Sequence, residues 1–382
     1  MAMEGPCPTH TLNYTSTDRT ELWLRLNSLE LAPYRLHAML EAYNGDLEAL
    51  FTDTPTGWRE RLPLLNDKRR DKLAAARTQD IRKDLTALEK MGAALVTVGD
   101  DHYPANLRSL PDAPPVLLVR GTLVPEDKFS VAIVGSRRAT NYGLTLARQF
   151  GRELTARGFS VVSGGALGVD TAAHHGALEG RGRTVAYLGC GVDICYPPDN
   201  RDLFREVAEG RGAVVSEFPM GTKPEPWRFP ARNRLISGAT LGTLVIESPA
   251  DSGSMITARI AGEQNREVFA VPGPVGMGHN SGCHRLIQEG AKLVETVDDI
   301  LSELGVLTLD APEERPAVSA PTPPLPPEQR RVLDLLTLQP RQLEGMIGES
   351  GLAAPQVMGI LTLLEMRGLA KRLPGNTFVR VL

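Results

Sequence analysis

Two short apolar runs between residues 131 and 170 are each followed at once by a turn of small residues. The runs are residues 131–134 and residues 159–162, and both are rich in β-branched side chains. Because they are too short for a stable helix, each predicts a buried parallel strand. Residues 142–157 place apolar side chains at helical spacing, and Gly158 follows as a helix-ending glycine. This stretch therefore predicts a strand, a helix and a second strand, with a glycine-rich turn after each strand.

The glycine-rich turns have the chemistry of an anion site. Glycine lets a ligand approach the backbone closely, and the start of a helix exposes unpaired N–H groups. In an open parallel sheet such turns lie at the carboxyl edge, where ligands bind at the switch in strand order. A single turn of this kind is usually an ordinary connector, but two close together, joined by a third at residues 251–254, favour an anion site. Residues 163–168 match neither a Walker loop nor the dinucleotide fingerprint, which argues against ATP hydrolysis and hydride transfer.

Composition limits the class of protein. A chain of 382 residues with 42% hydrophobic content can bury more than one core, so two or three domains are expected. The net charge of -4 is mild evidence against a nucleic-acid partner, although a local basic patch can bind phosphate on an acidic protein. No apolar run reaches the roughly 18 residues of a membrane span, and the N-terminus lacks a signal-peptide core, so a cytoplasmic protein is expected. The cysteines show neither CxxC spacing nor a partnered histidine cluster, so neither a metal nor a disulfide framework is expected: Cys7, Cys190, Cys195 and Cys283.

The periodicity divides the chain into five segments. Residues 1–18 are polar and aperiodic and are expected to be disordered, and residues 19–92 have the spacing of a small helical domain. Strands and helices alternate through residues 93–305, which predicts an α/β fold with a doubly wound, mostly parallel, Rossmann-like sheet. Residues 306–327 form a proline-rich linker. Residues 328–382 predict three helices and a hairpin in the order of a winged helix.

A second cluster of candidate residues surrounds the start of a predicted helix. Residues 218–230 are too rich in proline to form a regular element, and a helix is expected from Ala231. The cluster there offers guanidinium groups for phosphates and a Trp227 or Phe229 ring on which a base can stack, a combination suited to single-stranded nucleic acid. The alternative is that the rings pack the loop onto the sheet and that Arg234 pairs with a carboxylate such as Glu247.

Six motifs, in the same order along the chain, closely resemble the DNA-processing protein A family, also called DprA or Smf. The resemblance covers about residues 101–295, and its motifs are residues 134–137, 163–178, 188–200, 229–234, 252–258 and 268–273. It implies an extended Rossmann fold in a bacterial protein of natural transformation, or competence, and DNA recombination. Such a protein binds and protects incoming single-stranded DNA and loads the RecA recombinase onto it, without being an enzyme.

The resemblance and the three turns together give a set of expected single-stranded DNA contacts. Family members often carry a basic residue three positions before the phenylalanine of their motif, where this chain has Pro226. We therefore expect either that Arg228 or Lys223 substitutes for it or that the pocket is weaker. No catalytic residue, metal ligand or cofactor is expected. The expected contacts are Gly135, Ser136, Arg137, Ser163, Gly164, Gly165, Lys223, Arg228, Phe229, Arg232, Asn233, Arg234, Ser252, Gly253 and Ser254.

The resemblance also implies a homodimer. Family members dimerise through the C-terminal part of the Rossmann fold, which is residues 281–293 here, and the expected seam residues are His284, Leu286, Ile287 and Leu293. Adjacent Leu286 and Ile287 on a short helix point in different directions, so one can remain exposed on the monomer and be buried by a partner. A helix covered on two sides by its own domain is the open alternative.

The two flanking modules leave their partners open. The N-terminal helices resemble the sterile-alpha-motif-like or helix-hairpin-helix-like domain of relatives, but no Gly-Ile-Gly hairpin lies between Leu29 and Arg35. The third helix of the predicted winged helix is poor in hydrogen-bond donors, so protein and DNA are equally open as partners of this module. Its wing carries cations that can meet phosphates: Lys371, Arg372 and Arg380.

Two other classes of function compete with this interpretation. One is a lysine-decarboxylase-like nucleoside-monophosphate phosphoribohydrolase, which has similar glycine-rich turns. Such enzymes carry a Pro-Gly-Gly-x-Gly-Thr-x-x-Glu run that this chain lacks. The other is a protein-interaction scaffold with a vestigial anion pocket. No nucleophile, base and orienting acid can be assembled from the sequence, and His174 and His175 are equally compatible with structural and functional roles.

Overall fold

The computed structural model describes residues 17–276, 278–305, 325–337, 339–373 and 375–380. The predicted disordered segment and the predicted linker therefore lie largely outside the described residues. Thr17 and Pro327, which were expected to belong to those two segments, each begin a helix.

Six helices precede the first strand in the part of the chain that the structure describes, and they confirm the helical pattern predicted there. Three of them begin at a side chain that accepts a hydrogen bond from the backbone of the first turn: Asp46, Thr54 and Asn66. The last of the six ends at Gly92, whose φ of 60° is the left-handed conformation that glycine adopts without strain. The helices are α1 (Thr17–Ser28), α2 (Pro33–Ala42), α3 (Leu47–Thr52), α4 (Pro55–Arg61), α5 (Asp67–Arg77) and α6 (Arg82–Met91).

These helices share a hydrophobic core with the sheet that follows. One cluster of buried side chains continues from Leu26 and Trp58 in the helices to Leu118, Ala186 and Phe204 farther along the chain. Burial of this apolar surface is the main stabilising force on the helical region. The N-terminal helices are therefore held directly against one end of the sheet.

A nine-stranded sheet forms the centre of the molecule and confirms the predicted α/β fold. Its strands are β1 (Ala93–Thr97), β2 (Val116–Gly121), β3 (Ser130–Val134), β4 (Ser160–Ser163), β5 (Thr184–Tyr187), β6 (Gly212–Ser216), β7 (Gly242–Val245), β8 (Glu267–Ala270) and β9 (Lys292–Leu293). The order is β1-β2-β6-β5-β4-β3-β7-β8-β9. Strands β3 to β9 run parallel, whereas β1 and β2 are antiparallel additions at one edge. The two-residue strand β9 has no counterpart among the predicted strands.

Helices and short connections join these strands. A helix begins soon after β3, β4 and β7, as the small-residue turns predicted. The helices are α7 (Ala105–Arg108), α8 (Asn141–Ala156), α9 (Val169–Glu179), α10 (Arg201–Glu209), α11 (Arg228–Gly238), α12 (Gly253–Glu263), α13 (Ser281–Gln288) and α14 (Val297–Glu303).

The strand order reverses between β3 and β7. The chain winds outward from β3 to β6 and then returns to β7, on the other side of β3. The turns after these two central strands are joined directly, because the Ser136 backbone N–H donates to the Glu247 carbonyl over 2.7 Å. A side chain at Gly168, whose φ is 85°, would overlap the Ser136 carbonyl, so the second turn closes tightly against the first. The fold thus brings the predicted turns together at a topological switch point.

The C-terminal residues form a winged helix, as predicted. Its core contains Val332, Met346, Leu361 and Phe378. A short strand precedes the second helix and completes a three-stranded antiparallel sheet of order β10-β12-β11. The elements are α15 (Pro327–Leu335), β10 (Arg341–Gln342), α16 (Leu343–Ser350), α17 (Ala354–Met366), β11 (Ala370–Leu373) and β12 (Thr377–Arg380).

His174 on α9 is fully buried and has a structural environment. Its Nδ1 lies 2.7 Å from the Thr184 hydroxyl, which itself donates to the Val161 carbonyl, so Nδ1 carries the proton. Its Nε2 has no hydrogen-bond partner among the described residues. Burial lowers the pKa of His174 to about 3.

His174 is therefore expected to make the fold sensitive to acid. The folded pKa lies below the ordinary value of 6.5, so the unfolded chain takes up this proton first as the pH falls. The stabilising contribution is complete above pH 6.5 and is lost progressively as the pH falls towards 3. We expect the Tm of a His174→Gln variant to fall less than that of the parent between about pH 7 and about pH 4.5, measured by circular dichroism. An equal fall in both proteins would show that another group titrates.

Candidate nucleic-acid interface

The helix that was expected to begin at Ala231 begins at Arg228. Pro230 occupies its first turn, where a missing N–H leaves no intrahelical bond unmade. Arg232 and Arg234 consequently lie after the first turn of α11. The prediction that they stand at the start of this helix is wrong. Helix α11 still lies beside the turns, but its arginine side chains contact other groups of the protein.

Arg232 supports the turn after β4 from inside the protein. Its side chain is buried, and Nη1 donates to the Gly164 carbonyl over 2.7 Å and to the Tyr187 carbonyl. A Cβ atom at Gly164 would lie only 2.8 Å from Nη2, so glycine is required for this approach. Burial lowers the pKa of Arg232 to about 10, which leaves it charged at neutral pH. Its observed role is to connect this turn to the end of β5.

Asp170 holds the same turn from the other side. One carboxylate oxygen accepts hydrogen bonds from the backbone N–H groups of Gly164 and Ala166, each over 3.2 Å. Burial raises the pKa of Asp170, and the nearby charge of Arg232 opposes that rise. The Ser163 hydroxyl is also engaged, because it donates to the Ile133 carbonyl over 2.6 Å. Several donors that the sequence offered to a phosphate are thus used within the protein.

Gly135 and Gly165 allow the turns to pack closely. A Cβ atom at Gly135 would lie 2.6 Å from a Val169 methyl group, and Gly165 has a φ of 64°. The Gly165 carbonyl accepts a hydrogen bond from the buried Asn200 amide over 2.9 Å. These two glycines shape the site rather than expose a surface.

The exposed part of the site combines a cation with two aromatic rings. The Arg137 guanidinium lies 5.3 Å from the centre of the Phe229 ring, and the Tyr196 ring centre lies 5.5 Å from that of Phe229. Tyr196 is 40% exposed, and Arg137 is exposed as well. In the described ranges, no carboxylate lies within ion-pair distance of Arg137. An unpaired guanidinium beside two neighbouring aromatic rings can hold a phosphate and an adjoining base.

Tyr196 was not among the predicted site residues. It belongs to the family motif at residues 188–200, directly before two prolines. The available signal was that an aromatic residue stands in a motif loop. Nothing in the local sequence indicated that Tyr196 would contact Phe229, which lies 33 residues farther along the chain.

Arg228 is buried and does not face the rim, which is the exposed part of the site formed by Arg137, Tyr196 and Phe229. Its guanidinium lies between two aromatic rings, 4.9 Å from the Phe218 centre and 4.3 Å from the Trp227 centre. Its Nη2 donates to a Glu30 carboxylate oxygen over 3.3 Å, which links the start of α11 to the connection between α1 and α2. Lys223 in the same loop is exposed. Of the two cations expected to substitute near Pro226, Lys223 is therefore the one that is available to a ligand.

Arg234 is paired, as the alternative interpretation expected, but with different carboxylates. It forms an ion pair with Glu217 and a second with Asp112 at 3.4 Å. Glu247, the partner suggested from the sequence, instead accepts hydrogen bonds from the backbone and hydroxyl of Thr140 over 2.9 and 2.6 Å. Asn233 is half-buried, and its amide lies 3.5 Å from the Gly253 carbonyl.

The third turn ends in the predicted helix, α12, with Ser252 at the residue before its first turn. The hydroxyl groups of Ser248, Ser252 and Ser254 lie 2.5 to 2.9 Å from one another. Ser254 is buried, whereas Gly253 is exposed and Ser252 is half-buried. Because β3 and β7 are adjacent parallel strands, the exposed start of α12 lies at the same edge of the sheet as the turn that carries Arg137.

The expected dimer segment forms α13 and β9. Leu286 is buried, Ile287 is half-buried, and the His284 Nε2 lies 3.0 Å from the Gly273 carbonyl. Neither Leu286 nor Ile287 is therefore fully exposed on the monomer. The exposed apolar residue is Leu293, at 42% exposure on β9, the edge strand of the sheet.

The described residues form neither a metal-ligand cluster nor a single membrane-spanning helix. Within the described parts of the chain, no three or more His, Cys, Asp or Glu side chains are grouped to hold a metal ion. No single described helix is long and apolar enough to cross a membrane, and α16 and α17 meet those criteria only together, as a pair bent by 111°. The thiols of Cys190, Cys195 and Cys283 are free, and burial raises the pKa of Cys190 to about 11 and that of Cys283 to about 12.

The fold and this geometry define a class: a Rossmann-like protein in which glycine-rich turns and an exposed arginine, unpaired among the described residues, lie at the topological switch point of the sheet. A family model described as DNA recombination-mediator protein A matches residues 94–305, and one described as the DprA winged helix domain matches residues 315–376. The chain therefore belongs to the DNA recombination-mediator protein A family, which confirms the resemblance found in its motifs.

Individual relatives agree with this membership. Protein Smf of Escherichia coli (strain K12) is 38% identical over 309 residues, which cover 79% of this chain and 81% of that protein. The DNA processing protein DprA of Streptococcus pneumoniae is 42% identical over 204 residues, which cover 53% of this chain and 72% of the relative.

Two solved structures are similar as well. The X-ray structure of DprA from Streptococcus pneumoniae has a TM-score of 0.60 and 34% identity, covering 74% of this chain and 97% of that one. The structure of DNA processing protein A from Helicobacter pylori, described for its single-stranded DNA binding mode, has a TM-score of 0.51 and 29% identity, covering 57% of this chain and 97% of that one.

Proposed function

We propose that the chain binds single-stranded DNA along the carboxyl edge of its sheet. The observation that carries this proposal is the exposed Arg137, unpaired within the described residues, beside the Phe229 and Tyr196 rings. A guanidinium binds phosphate oxygens through charge-assisted hydrogen bonds, and an aromatic face stacks with any base. The relative from Helicobacter pylori is described as binding single-stranded DNA, which supports the same assignment here.

The expected contacts, with Tyr196 added, divide into those that can touch the strand and those that are engaged within the protein. We propose that eight exposed or half-buried residues touch DNA: Ser136, Arg137, Tyr196, Lys223, Phe229, Asn233, Ser252 and Gly253. The remaining residues are buried or, in the case of the half-buried Gly135 and Arg234, packed against Val169 or paired with Glu217, and they hold the turns and α11 in position: Gly135, Ser163, Gly164, Gly165, Arg228, Arg232, Arg234 and Ser254.

The wider role is that of a recombination mediator in natural transformation. Incoming single-stranded DNA would be protected along the rim and passed to the RecA recombinase, in the cytoplasm where that recombinase acts. The match to the recombination-mediator family supports this role. Binding without chemistry is proposed, so the protein is not assigned as an enzyme.

The test compares binding with base release. Fluorescence anisotropy with labelled oligothymidine and a duplex of equal length measures binding, and chromatography of nucleoside monophosphates measures any free base. Tight strand binding without base release is expected. Binding is also expected to weaken with salt, by a log–log slope of roughly 0.7 for each phosphate contacted. Base release in the absence of strand binding would favour the phosphoribohydrolase instead.

We also propose a homodimer through α13 and β9. An exposed edge strand pairs readily with another chain, and Leu293 supplies apolar surface on that strand. We propose that Leu293, Ile287 and His284 lie in the interface and that Leu286 supports them from the core.

Changing Leu293 to glutamate is expected to convert the dimer to monomers, measured by light scattering. The introduced carboxylate would have to lose water at the seam without a partner charge, which costs free energy. Leu64→Glu is the matched control, because Leu64 is 59% exposed on the N-terminal region. A Leu293→Glu protein that remained dimeric would place the seam elsewhere. Leu286→Glu is less informative, since Leu286 is part of the core.

A further inference from the structure

A cleft of about 710 Å³ separates the Rossmann-like part of the molecule from the wing. Helices α8 and α9 form one wall, and β11 and β12 supply residues of the other. Arg137 lies in this cleft, so the cleft opens from the proposed DNA-binding rim. Its positively charged lining includes Arg137, Arg152, Lys371 and Arg380.

The cleft carries a clear excess of positive charge. In the part of the chain that the structure describes, no acidic side chain pairs with Arg137, Arg152, Lys371 or Arg380. The acidic lining residue Glu179 is neutralised by Arg148, whose Nε donates to it over 2.8 Å. Four unpaired cations in one cleft are notable on a chain whose net charge is -4, because they lie close together rather than spread over the surface.

We propose that a nucleic-acid backbone leaving the rim at Arg137 continues through this cleft, where Lys371 and Arg380 of the wing contact its phosphates. This inference rests on the proposed function and extends its site to a second module. The ligand is a phosphodiester backbone, because cations contributed by separate elements along one cleft match a chain of evenly spaced anions. The wing then closes over the strand from the side opposite α8 and α9.

The third helix of the winged helix supports contact through the wing. Two large residues of α17 are exposed, Leu363 at 44% and Met366 at 80%, and Gly359 lies exposed one turn before Leu363. Reading bases in a major groove requires side chains that donate or accept hydrogen bonds. The exposed polar residues of α17 are bonded within the module: Gln356 and Glu365 accept from the backbone N–H groups of Ala353 and Arg372, and the Thr362 hydroxyl donates to the Met358 carbonyl. Because the other exposed residues supply no hydrogen-bonding group, the module is expected to hold the backbone without reading sequence.

Charge reversal at the wing tests the cleft. The variant Lys371→Glu with Arg380→Glu is compared with Arg330→Glu with Arg367→Glu, which makes the same change of charge at exposed positions of the same module outside the cleft. Each protein is titrated with oligothymidines of about 6 and about 20 nucleotides, which lie near the lower end and beyond the upper end of the roughly 4–16 nucleotides that a single-strand groove covers. Circular dichroism checks that each variant remains folded. Lys371→Glu alone is the fallback, since Lys371 is exposed while Arg380 is half-buried.

The long oligonucleotide is expected to bind at least about tenfold more weakly to the cleft variant, and its salt slope is expected to fall by roughly 1.4 for two lost phosphate contacts. The short oligonucleotide, held at the rim, is expected to bind as before. Equal weakening of both lengths, or equal weakening by the control pair, would overturn the proposal. An unchanged affinity for the long strand would also overturn it and would favour a protein partner for the wing. If the parent protein binds neither length, the proposed function itself fails.

Discussion

Changing Arg137 to alanine is expected to weaken binding of single-stranded oligonucleotides by about 10- to 100-fold. A hydrogen bond to a charged group is worth about 1.5–3 kcal/mol, and each 1.4 kcal/mol corresponds to about tenfold in affinity. Arg137 is exposed and pairs with no carboxylate among the described residues, so its charge is free for a phosphate. The loss is expected to be equal for strands of different sequence, because a phosphate contact carries no base information.

Fluorescence anisotropy at several salt concentrations measures this effect, and the salt slope is expected to fall by roughly 0.7. Arg157→Ala is the matched control. Arg157 follows the last residue of α8 and forms an exposed ion pair with Asp298 at 2.6 Å, so its removal is expected to cost little. An affinity that did not depend on salt, or an equal loss in the control, would contradict the assignment of Arg137.

Changing Arg232 to alanine is expected to destabilise the fold by about 3–5 kcal/mol. The substitution would leave the buried Asp170 carboxylate without its nearby positive charge and the Gly164 and Tyr187 carbonyls without this donor. Urea denaturation measures the free energy of unfolding, again with Arg157→Ala as the control. Arg232→Lys is expected to recover part of the loss, since it keeps the charge but not the planar fork of donors.

This experiment also separates two roles for Arg232. If Arg232 supports the turn after β4, its removal lowers the free energy of unfolding. If Arg232 only binds phosphate, its removal lowers the affinity for single-stranded DNA and leaves the free energy of unfolding unchanged. Normal stability of Arg232→Ala with weakened strand binding would return Arg232 to the list of direct DNA contacts and would contradict its assignment as a support.

The strands around the site could be predicted because their signal is local. Each central strand is a short, β-branched run followed by a turn of small residues, and burial on both faces requires that composition. Strand β9 was not predicted, because a strand of two residues is too short to show the alternation of polar and apolar side chains. The start of α11 was misplaced because prolines were taken to exclude a helix, although the first turn accepts Pro230.

The roles of individual residues followed less well from the sequence. The backbone N–H groups of Gly164 and Ser136 are bonded to Asp170 and to the Glu247 carbonyl, so Ser136 has only its side-chain hydroxyl to offer to a phosphate. Arg228 is held by Glu30, which lies in a different part of the chain. In each case the competing partner is a specific group that the fold brings close, and no local pattern announces it.

The chain of amino acids alone determined which segments become strands, where glycine turns follow them, and which family the motifs resemble, because these properties depend on neighbouring residues. The tertiary structure decided which cations remain unpaired, since that depends on where every carboxylate and carbonyl finally lies. Arg137 is exposed and beyond the reach of any described acidic group, whereas Arg232 and Arg234 are engaged by groups from other elements. Pairing across a folded core is a non-local property, and it separates the residues available to DNA from those that hold the site together.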